Sequence, residues 1–320
     1  MDINEVKIAV LLPCYNEELT IGKVIDDFKS ELPNADIYVY DNNSKDNTYK
    51  ISKEHGAIVV KEPRQGKGNV VRSMFRDIEA DVYIMADGDD TYPADEVRSL
   101  IQPILNGEAD MVIGDRLSNG TYAKENKRAF HGFGNKLVQS LIGLLFKNEI
   151  NDIMTGYRAF NRYFVKTMPV LSNGFQIETE MSIHALDKKF VLKEVPIEYR
   201  DRPEGSVSKL STFKDGYRVL KMLISLFKDY KPMGFFGITS LISLALGLLV
   251  GIPVVSEFVK TSWVSKVPSA ILAVGLVLIS ILSLGCGFIL DTIAKNNTKS
   301  YELYLNDFKM QEREVKQWIK

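Results

Sequence analysis

Cysteine is scarce in this chain, whose 320 residues include only Cys14 and Cys286. One lies in the first predicted strand and the other in an apolar run near the end, so they offer neither a disulfide framework nor metal-ligand spacing. Such cysteine usage fits a reducing compartment. The formal net charge of −1 provides no bulk basic field, and we therefore expect no nucleic-acid partner.

Two nucleotide-binding fingerprints are also missing. The turn after the first predicted strand has no G-x-G-x-x-G, which disfavours a nicotinamide or flavin site, and no G-x-x-x-x-G-K-[ST] occurs. At the N-terminus, Asp2 and Glu5 precede an apolar run at residues 8–12 that is too short for the core of a signal peptide. A cleaved leader is therefore not expected.

Short apolar segments alternate with segments of helical pattern through the first third of the chain. Strands are predicted at residues 7–12, 36–40, 57–61, 83–86 and 110–113, and helices at 19–32, 48–55, 64–78 and 94–105. This alternation predicts an α/β fold with a doubly wound, mostly parallel sheet. Polar turns follow the first, second and fourth strands, so they should share the sheet edge at which ligands bind in such folds.

The strand at 83–86 stops at the carboxylate cluster Asp87-Gly88-Asp89-Asp90. Two aspartates one residue apart can share a hard divalent cation, and Mg²⁺ is usually held by one or two carboxylates plus substrate phosphate oxygens. The alternative is an ordinary turn, since Asp and Gly favour turns. For Asp90, a third metal ligand and a helix cap both remain open. Asp41, at the end of the second strand, is placed to accept hydrogen bonds from a ribose or base.

The last third of the chain differs from the rest. Residues 234–255 and 267–290 carry no charged side chain, and each run is long enough to cross a hydrocarbon core of about 30 Å. A buried helix of a soluble protein is the alternative, but two such runs in succession favour a transmembrane hairpin. We expect four regions: a soluble α/β domain at 1–210, an interfacial helix at 211–232, a hairpin at 233–291 with spans at about 234–256 and 267–290, and a cytoplasmic tail at 292–320.

The basic residues beside the hairpin predict its orientation. Those before the first span are Lys214, Arg218, Lys221, Lys228 and Lys231, and those after the second are Lys295, Lys299, Lys309, Arg313, Lys316 and Lys320. The connection between the spans has only Lys260 and Lys266. By the positive-inside rule we expect an integral membrane protein with its soluble domain and both termini in the cytoplasm.

An amphipathic pattern precedes the first span. Apolar side chains recur at helical spacing at Phe213, Tyr217, Leu220, Ile224 and Phe227. The opposite side carries Lys214, Arg218, Lys221, Ser225 and Lys228. Such a helix can lie in the bilayer interface with its cations near lipid head groups. Packing against the catalytic domain is the alternative.

An ordered set of motifs carries a family resemblance over about residues 6–230. The first four are Pro13-x-Tyr15-Asn16-Glu17, Asp41-x-x-Ser44-x-Asp46-x-Thr48, Gly66-Lys67-Gly68 and Asp87-x-Asp89. The others are Gly114-Asp115-Arg116, Thr155-Gly156-Tyr157-Arg158, Gly174-Phe175-Gln176-Ile177-Glu178 and Arg202-x-x-Gly205-x-x-Ser208-Lys209. Together they resemble the GT-A glycosyltransferases of family 2, and more narrowly the membrane-anchored polyprenyl-phosphate glycosyltransferases similar to dolichyl-phosphate mannosyltransferase. The resemblance implies a GT-A fold.

The resemblance also implies inverting transfer of a sugar from a nucleotide sugar to a polyprenyl phosphate such as undecaprenyl phosphate. It assigns the metal, Mg²⁺ or Mn²⁺, to Asp87 and Asp89. It assigns catalysis to Asp89, Arg116, Arg202 and Lys209. Nucleotide binding falls to Pro13, Tyr15, Glu17, Asp41, Lys67, Asp87 and Gly88. The acceptor phosphate falls to Arg128, Arg202, Ser208 and Lys209, and the sugar to Asp152, Gln176 and Glu178.

Several alternatives remain open beside these roles. Each basic side chain can be a solvated surface charge, and Asp152 can cap a helix. Relatives often have Asp-Asp where this chain has Asp41-Asn42, and the segment between Gly205 and Ser208 is one residue longer than expected. UDP-glucose, UDP-N-acetylglucosamine and GDP-mannose all remain possible donors. The lipid bilayer and a second copy of the chain, in a homo-oligomer, are the expected partners; the rival hypothesis is a membrane-anchored nucleotide-sugar-binding scaffold or sensor without activity.

Overall fold

The computed structural model describes residues 3, 5–118, 139–140, 142–143, 146, 150–174, 176–201, 221 and 224–318, with side chains through residue 311. The chain forms two compact units, Met1–Asp215 and Gly216–Lys320. Each is described by itself below. The predicted site residues Arg128, Arg202, Ser208 and Lys209 lie outside the described residues, as do most of the predicted interfacial helix and the loop from Gly205 to Ser208.

A seven-stranded sheet forms the centre of the first unit, in the order β3-β2-β1-β4-β6-β5-β7. The strands are β1 Ile8–Cys14, β2 Asp36–Asp41, β3 Ile58–Lys61, β4 Val82–Met85, β5 Met111–Asp115, β6 Arg158–Asn161 and β7 Leu192–Pro196. Neighbours pair in parallel except that β6 runs antiparallel to both β4 and β5. The predicted α/β class with a mostly parallel sheet is therefore confirmed.

Helices cover the sheet and connect its strands. They are α1 Ile21–Glu31, α2 Thr48–Glu54, α3 Lys67–Asp77, α4 Val97–Leu105, α5 Arg162–Thr167 and α6 Ile177–Asp187, with a 3₁₀ turn at Ala94–Glu96 before α4. In α1 the apolar residues at helical spacing, Ile21, Val24, Ile25 and Phe28, are all buried. The buried apolar residues of α1 and α4 pack with those of β1, β2 and β4 in one hydrophobic core.

The central strands are buried on both faces. From Ile8 to Leu12, every side chain of β1 is buried, as is every side chain of β4. Strands covered by helices on both sides are near-continuous apolar runs, which is why these two stand out in the sequence.

One edge of the sheet gathers the polar turns. The strands β1, β2, β4 and β5 are mutually parallel in direction, so Cys14, Asp41, Met85 and Asp115 end at this edge. The antiparallel strand β6 starts there, because Arg158 pairs with Met85 on one side and with Ile113 on the other. The segment before β6 thus meets the turn after β4.

Two long helices dominate the second unit, α7 Pro232–Thr261 and α8 Val267–Trp318. Both are long and apolar enough to cross a membrane, which agrees with the two predicted spans. Helix α7 continues past the predicted end of the first span, and α8 runs unbroken through the predicted tail. Residues 224–230 are helical as well.

Small residues and one polar pair join α7 to α8. The hydroxyl groups of Ser240 and Ser280 are hydrogen-bonded at 2.9 Å, and both side chains are buried. A Cβ atom at Gly247 would lie 3.1 Å from the Val277 side chain, so the glycine lets the two helices approach closely. Side-chain hydrogen bonds and small residues are the usual means of helix association in lipid.

Candidate active site

Hydrogen bonds join the three polar turns that follow β1, β2 and β4. The backbone amide of Asn16 donates to Ser44 Oγ at 2.9 Å, and that of Glu17 donates to Thr48 Oγ1 at 2.8 Å. Thr20 Oγ1 donates to the carbonyl oxygen of Gly88 at 2.7 Å. The first turn is therefore fixed to both of the others.

Each of these turns contains a residue in the left-handed region of backbone space. Asn16 has φ 53°, Asn43 has φ 64° and Asp90 has φ 60°. Asn and Asp tolerate this region better than other residues with a side chain, but it remains a strained conformation that surrounding structure must hold. Such residues cluster at ligand-binding sites, and here they mark one sheet edge.

The aspartates of the turn after β4 lie in different environments. The Asp87 side chain is partly exposed, whereas Asp89 is buried and its Oδ1 accepts from Thr91 Oγ1 at 2.7 Å. Asp90 forms an ion pair with Lys23 at 2.7 Å. Between the aspartates, a Cβ atom at Gly88 would lie 2.6 Å from Cys14 Sγ, so only glycine fits.

Lys67, the first residue of α3, joins two acidic side chains. Its ammonium group forms ion pairs with Asp87 and, at 2.6 Å, with Glu178 near the start of α6. Burial by itself lowers the pKa of Lys67, but the charges of Asp87 and Glu178 outweigh it and raise the pKa above its usual range. Lys67 therefore stays charged at physiological pH.

Glycines surround this triad because backbone passes close by. A Cβ atom at Gly66, where φ is 125°, would collide with the carbonyl oxygen of Asn173, and one at Gly68 would collide with that of Ser172. A Cβ atom at Gly156 would lie 2.8 Å from Asp87 Oδ2. The Gly66-Lys67-Gly68 motif is thus explained by backbone packing, while Gly156 keeps space beside Asp87.

Arg116 is held by a fully buried carboxylate. Its Nε and Nη2 donate to the two oxygens of Asp152 at 2.6 and 2.9 Å, and its backbone amide donates to the same group. The guanidinium also lies 5.5 Å from the centre of the Tyr199 ring. Two parallel bonds of this kind fix the plane of an arginine.

Tyr92 links the Arg116 pair to the metal-binding candidates. Its buried hydroxyl accepts from the backbone amide of Gly156 at 2.8 Å and from Arg116 Nη1 at 3.4 Å. Burial raises the pKa of Tyr92, while the charge of Arg116 lowers it in part. The hydroxyl is therefore neutral at physiological pH.

Arg158 lies beneath the site with no exposed surface. It donates to the carbonyl oxygens of Ile153 and Thr155 at 2.6 and 3.0 Å, and to Ser182 Oγ at 2.9 Å. Burial lowers its pKa to about 10, although Glu178 and Asp152 raise it. Arg158 thereby joins the turn that carries Gly156 to helix α6.

The acidic residues at this edge suit a divalent cation. Among the described residues, no three His, Cys, Asp or Glu side chains converge on one point, so protein atoms alone form no closed metal cage. Asp87 and Asp89 nevertheless offer hard oxygen ligands, and Gly156 leaves room beside Asp87 Oδ2. The three carboxylates of Asp87, Asp89 and Glu178 carry more negative charge than the one ammonium group of Lys67 can neutralise. This fits Mg²⁺ or Mn²⁺ when a ligand supplies phosphate oxygens.

The other predicted residues of the first unit lie around the same edge. Pro13, Tyr15 and Glu17 are half-buried, and Asp41 is buried with its Oδ1 accepting from the backbone amide of Ser44 at 3.2 Å. Gln176 is exposed at the start of α6. Asp152 is fully buried against Arg116, and Glu178 is paired with Lys67.

Sequence reasoning gave no role to Tyr92, Arg158 or the amide of Asn42. The Thr155-Gly156-Tyr157-Arg158 motif was the available signal for Arg158, and nothing in the sequence marks Tyr92. His184 packs against Phe164 and Phe190, and burial lowers its pKa to about 4.

Comparisons with known proteins agree with this geometry. The family model described as "Glycosyl transferase family 2" matches residues 9–168. Over 290 residues the chain is 33% identical to "Glycosyltransferase AglJ" of Haloferax volcanii, covering 89% of this chain and 93% of that one. It is 29% identical over 217 residues to the "Dolichyl-phosphate hexose transferase" of the same organism, covering 68% and 92%.

Solved structures show the shared fold. Glucosyl-3-phosphoglycerate synthase from Mycobacterium tuberculosis, solved in complex with Mn²⁺, uridine diphosphate and phosphoglyceric acid, superposes with a TM-score of 0.56 at 22% identity. The match covers 70% of this chain and 78% of the synthase.

Proposed function

Because the chain belongs to glycosyl transferase family 2, we propose that it transfers a sugar from a nucleotide sugar to a polyprenyl phosphate, with inversion at the anomeric carbon. One observation carries the proposal: Asp87 and Asp89 stand with Lys67 and Glu178 at one sheet edge, in a chain that also has two membrane-length apolar helices. The first feature suits a sugar diphosphate and the second a lipid acceptor.

The donor would lie across the three joined turns. Asp41 and Glu17 would hold the nucleoside, and Pro13, Tyr15 and Gly88 would contact the nucleotide beside them. Asp87 and Asp89 would hold Mg²⁺ or Mn²⁺. When bound, this metal ion would act as a Lewis acid and stabilise the negative charge of the leaving diphosphate. Lys67 lies against Asp87 and adds a fixed positive charge on the same side. UDP-glucose, UDP-N-acetylglucosamine and GDP-mannose are the candidate donors.

The acceptor brings its own nucleophile. A lipid phosphate is anionic near neutral pH, since the second pKa of a phosphomonoester is about 6, so little general-base help is needed. Fixed cations are required instead, to bring two anionic groups to one carbon. Arg116 is one candidate, already oriented by Asp152. The roles of Arg128, Arg202, Ser208 and Lys209 stay predictions, as does sugar binding by Asp152, Gln176 and Glu178.

A polyprenyl acceptor is supported by the relatives and by composition. One relative is named as a dolichyl-phosphate hexose transferase and covers two thirds of this chain. A long isoprenoid tail is costly to extract into water, so the enzyme should meet its acceptor at the membrane. We further propose the cytoplasmic face as the site of reaction, because the basic residues flank the outer ends of the two spans.

The test uses the purified full-length chain in detergent or vesicles. It is incubated with Mg²⁺ or Mn²⁺, undecaprenyl or dolichyl phosphate, and each labelled nucleotide sugar in turn. We expect label to enter the organic phase with one donor and to require both the metal and the lipid phosphate.

Two results would count against the proposal. Label released only into water would indicate a hydrolase. Binding of a nucleotide sugar with no product in any combination would favour the scaffold hypothesis. Omission of the lipid phosphate and addition of EDTA are the matched controls.

A further inference from the structure

Asn42 follows Asp41 at the end of β2, and its side chain is turned away from solvent, with 4% of its surface exposed. Its Nδ2 donates to the carbonyl oxygens of Glu62 and Arg64 at 2.9 and 2.8 Å. Its Oδ1 accepts from the backbone amide of Gly66 at 2.7 Å and from Gln65 Nε2 at 3.2 Å. All four partners belong to residues 62–66, the segment that leads from β3 to α3.

These partners require a carboxamide. Two carbonyl oxygens face one side of the Asn42 side chain and need donors, while a backbone N–H faces the other side and needs an acceptor. Asn supplies both kinds of group, whereas an ionised Asp supplies acceptors alone. A carboxylate would set oxygen against two carbonyl oxygens, and an apolar side chain would leave buried polar groups unpaired, which is unfavourable.

The segment that Asn42 holds determines where Lys67 lies. Gly66 precedes Lys67 in a backbone conformation open only to glycine, packed against the carbonyl of Asn173. At the other end, Glu62 is fixed by Arg64 and Ser73. Asn42 joins the two ends through Glu62 and Gly66, so the end of β2 is connected directly to the residue before Lys67.

We propose that Asn42 is a positioning residue, whose carboxamide holds residues 62–66 and thereby places Lys67 between Asp87 and Glu178. The inference rests on the proposed function, in which the ammonium group of Lys67 provides positive charge beside the diphosphate of the donor. In this chain the second position of the turn therefore holds the segment that precedes Lys67.

The variant Asn42→Asp tests this with almost no change in volume. We expect N42D to lower kcat/KM for sugar transfer about ten- to hundredfold, as displacement of a positioned group by about 1 Å can. In a Lys67→Met background, N42D should have little further effect, because the group it positions is gone. Equal losses in both backgrounds would show a general structural effect and overturn the inference.

A second readout does not depend on transfer activity. The Lys67 side chain is 9% exposed, so a lysine-acylating reagent should modify it slowly in the wild-type chain, with Lys7, 54% exposed, as an internal reference. We expect N42D to increase the rate at Lys67 and leave Lys7 unchanged, as mass spectrometry of peptides would show. An unchanged Lys67 rate in N42D would overturn the inference.

Controls separate this inference from the proposed function. Asn106→Asp, at an exposed position, makes the same chemical change and should alter neither readout. If N42D does not fold, Asn42→Ser, which retains one donor, takes its place in both experiments. A wild-type chain without transfer activity would refute the proposed function, while the labelling comparison would still decide the position of Lys67.

Discussion

At the scale of single residues, the site is built from charges that hold one another in place. Lys67 is fixed by Asp87 and Glu178, and Arg116 is fixed by Asp152. Charged groups oriented before a ligand binds need not reorganise during the reaction, and this is the usual source of electrostatic catalysis. Neutralising a charge of this site should therefore lower turnover.

The variant Asp89→Asn tests the proposed metal site. It keeps the shape of the side chain and removes the negative charge proposed to hold the metal, so we expect kcat/KM for transfer to fall by at least about 10²-fold. Thermal unfolding of the purified variant should stay close to that of the wild type.

The matched control for this prediction is Asp36→Asn, which makes the same change in an exposed ion pair with Lys7. That variant should keep full activity. A purified D89N chain that transfers sugar at the wild-type rate would remove Asp89 from the proposed metal site.

Glu62 gives stability a dependence on pH. Hydrogen bonds from Arg64, and then from Ser73, lower its pKa from 4.5 to about 2, against the opposing effect of burial. A depressed pKa stabilises the folded chain above the unfolded value of 4.5, and this contribution is lost as pH falls towards 2. The Glu62→Gln variant should therefore unfold more easily than wild type at pH 7 and approach it near pH 2.

Unfolding in detergent at several pH values measures this difference. Glu108→Gln, in an exposed pair with Lys193, should change little at any pH. A constant difference between Glu62→Gln and wild type from pH 7 to pH 2 would contradict the assignment.

At the scale of elements, the sequence predicted the first five strands of the sheet and missed the last two, β6 and β7. The strands β1, β2 and β4 are apolar runs that end at polar turns, so periodicity located them. Strand β6 was not predicted because it has only four residues and begins with an arginine, Arg158, which is not typical of a buried strand. Its antiparallel direction depends on pairing with β4, far away in the sequence.

Long-range pairing also explains what could be predicted of the site. The Asp87-x-Asp89 motif was visible, since its members are two residues apart. The pairs of Lys67 with Glu178 and of Arg116 with Asp152 join separate elements, and only the fold brings them together. The unusual amide of Asn42 was visible in the sequence, but the four groups that require it were not.

Gly68→Ala tests the packing of α3. Alanine is better than glycine inside a helix by about 1 kcal/mol, so the exchange is normally favourable. Here the new Cβ would meet the carbonyl of Ser172, so we expect a lower melting temperature and a loss of more than about 1 kcal/mol.

Gly275→Ala in α8 provides the comparison, since a Cβ there meets nothing within 4 Å. It should not lower the melting temperature. A Gly68→Ala chain as stable as wild type would show that residues 172–173 can move aside without cost.

At the scale of the whole molecule, two membrane-length helices follow the α/β unit along the chain, and their connection carries few basic residues. If the connection lies outside the cell, a cysteine replacing exposed Ser265 should react in intact cells with a membrane-impermeant maleimide. A cysteine replacing exposed Asn297, beyond the second span, should react only after permeabilisation.

Both variants are made in a Cys286→Ser background, because Cys286 is exposed on α8. Permeabilised cells provide the control for reactivity at each position. The opposite labelling pattern would place the catalytic unit outside the cytoplasm and exclude the proposed site of reaction.

Helix α8 continues without a break well beyond the length that spans a membrane. At 1.5 Å per residue its 52 residues extend for about 78 Å, more than twice the hydrocarbon thickness of about 30 Å. A bilayer that tilts the span by about 10° would swing a point about 40 Å beyond the lipid through about 7 Å. If α8 stays straight across the bilayer boundary, a change in membrane thickness would therefore move the far end of this helix.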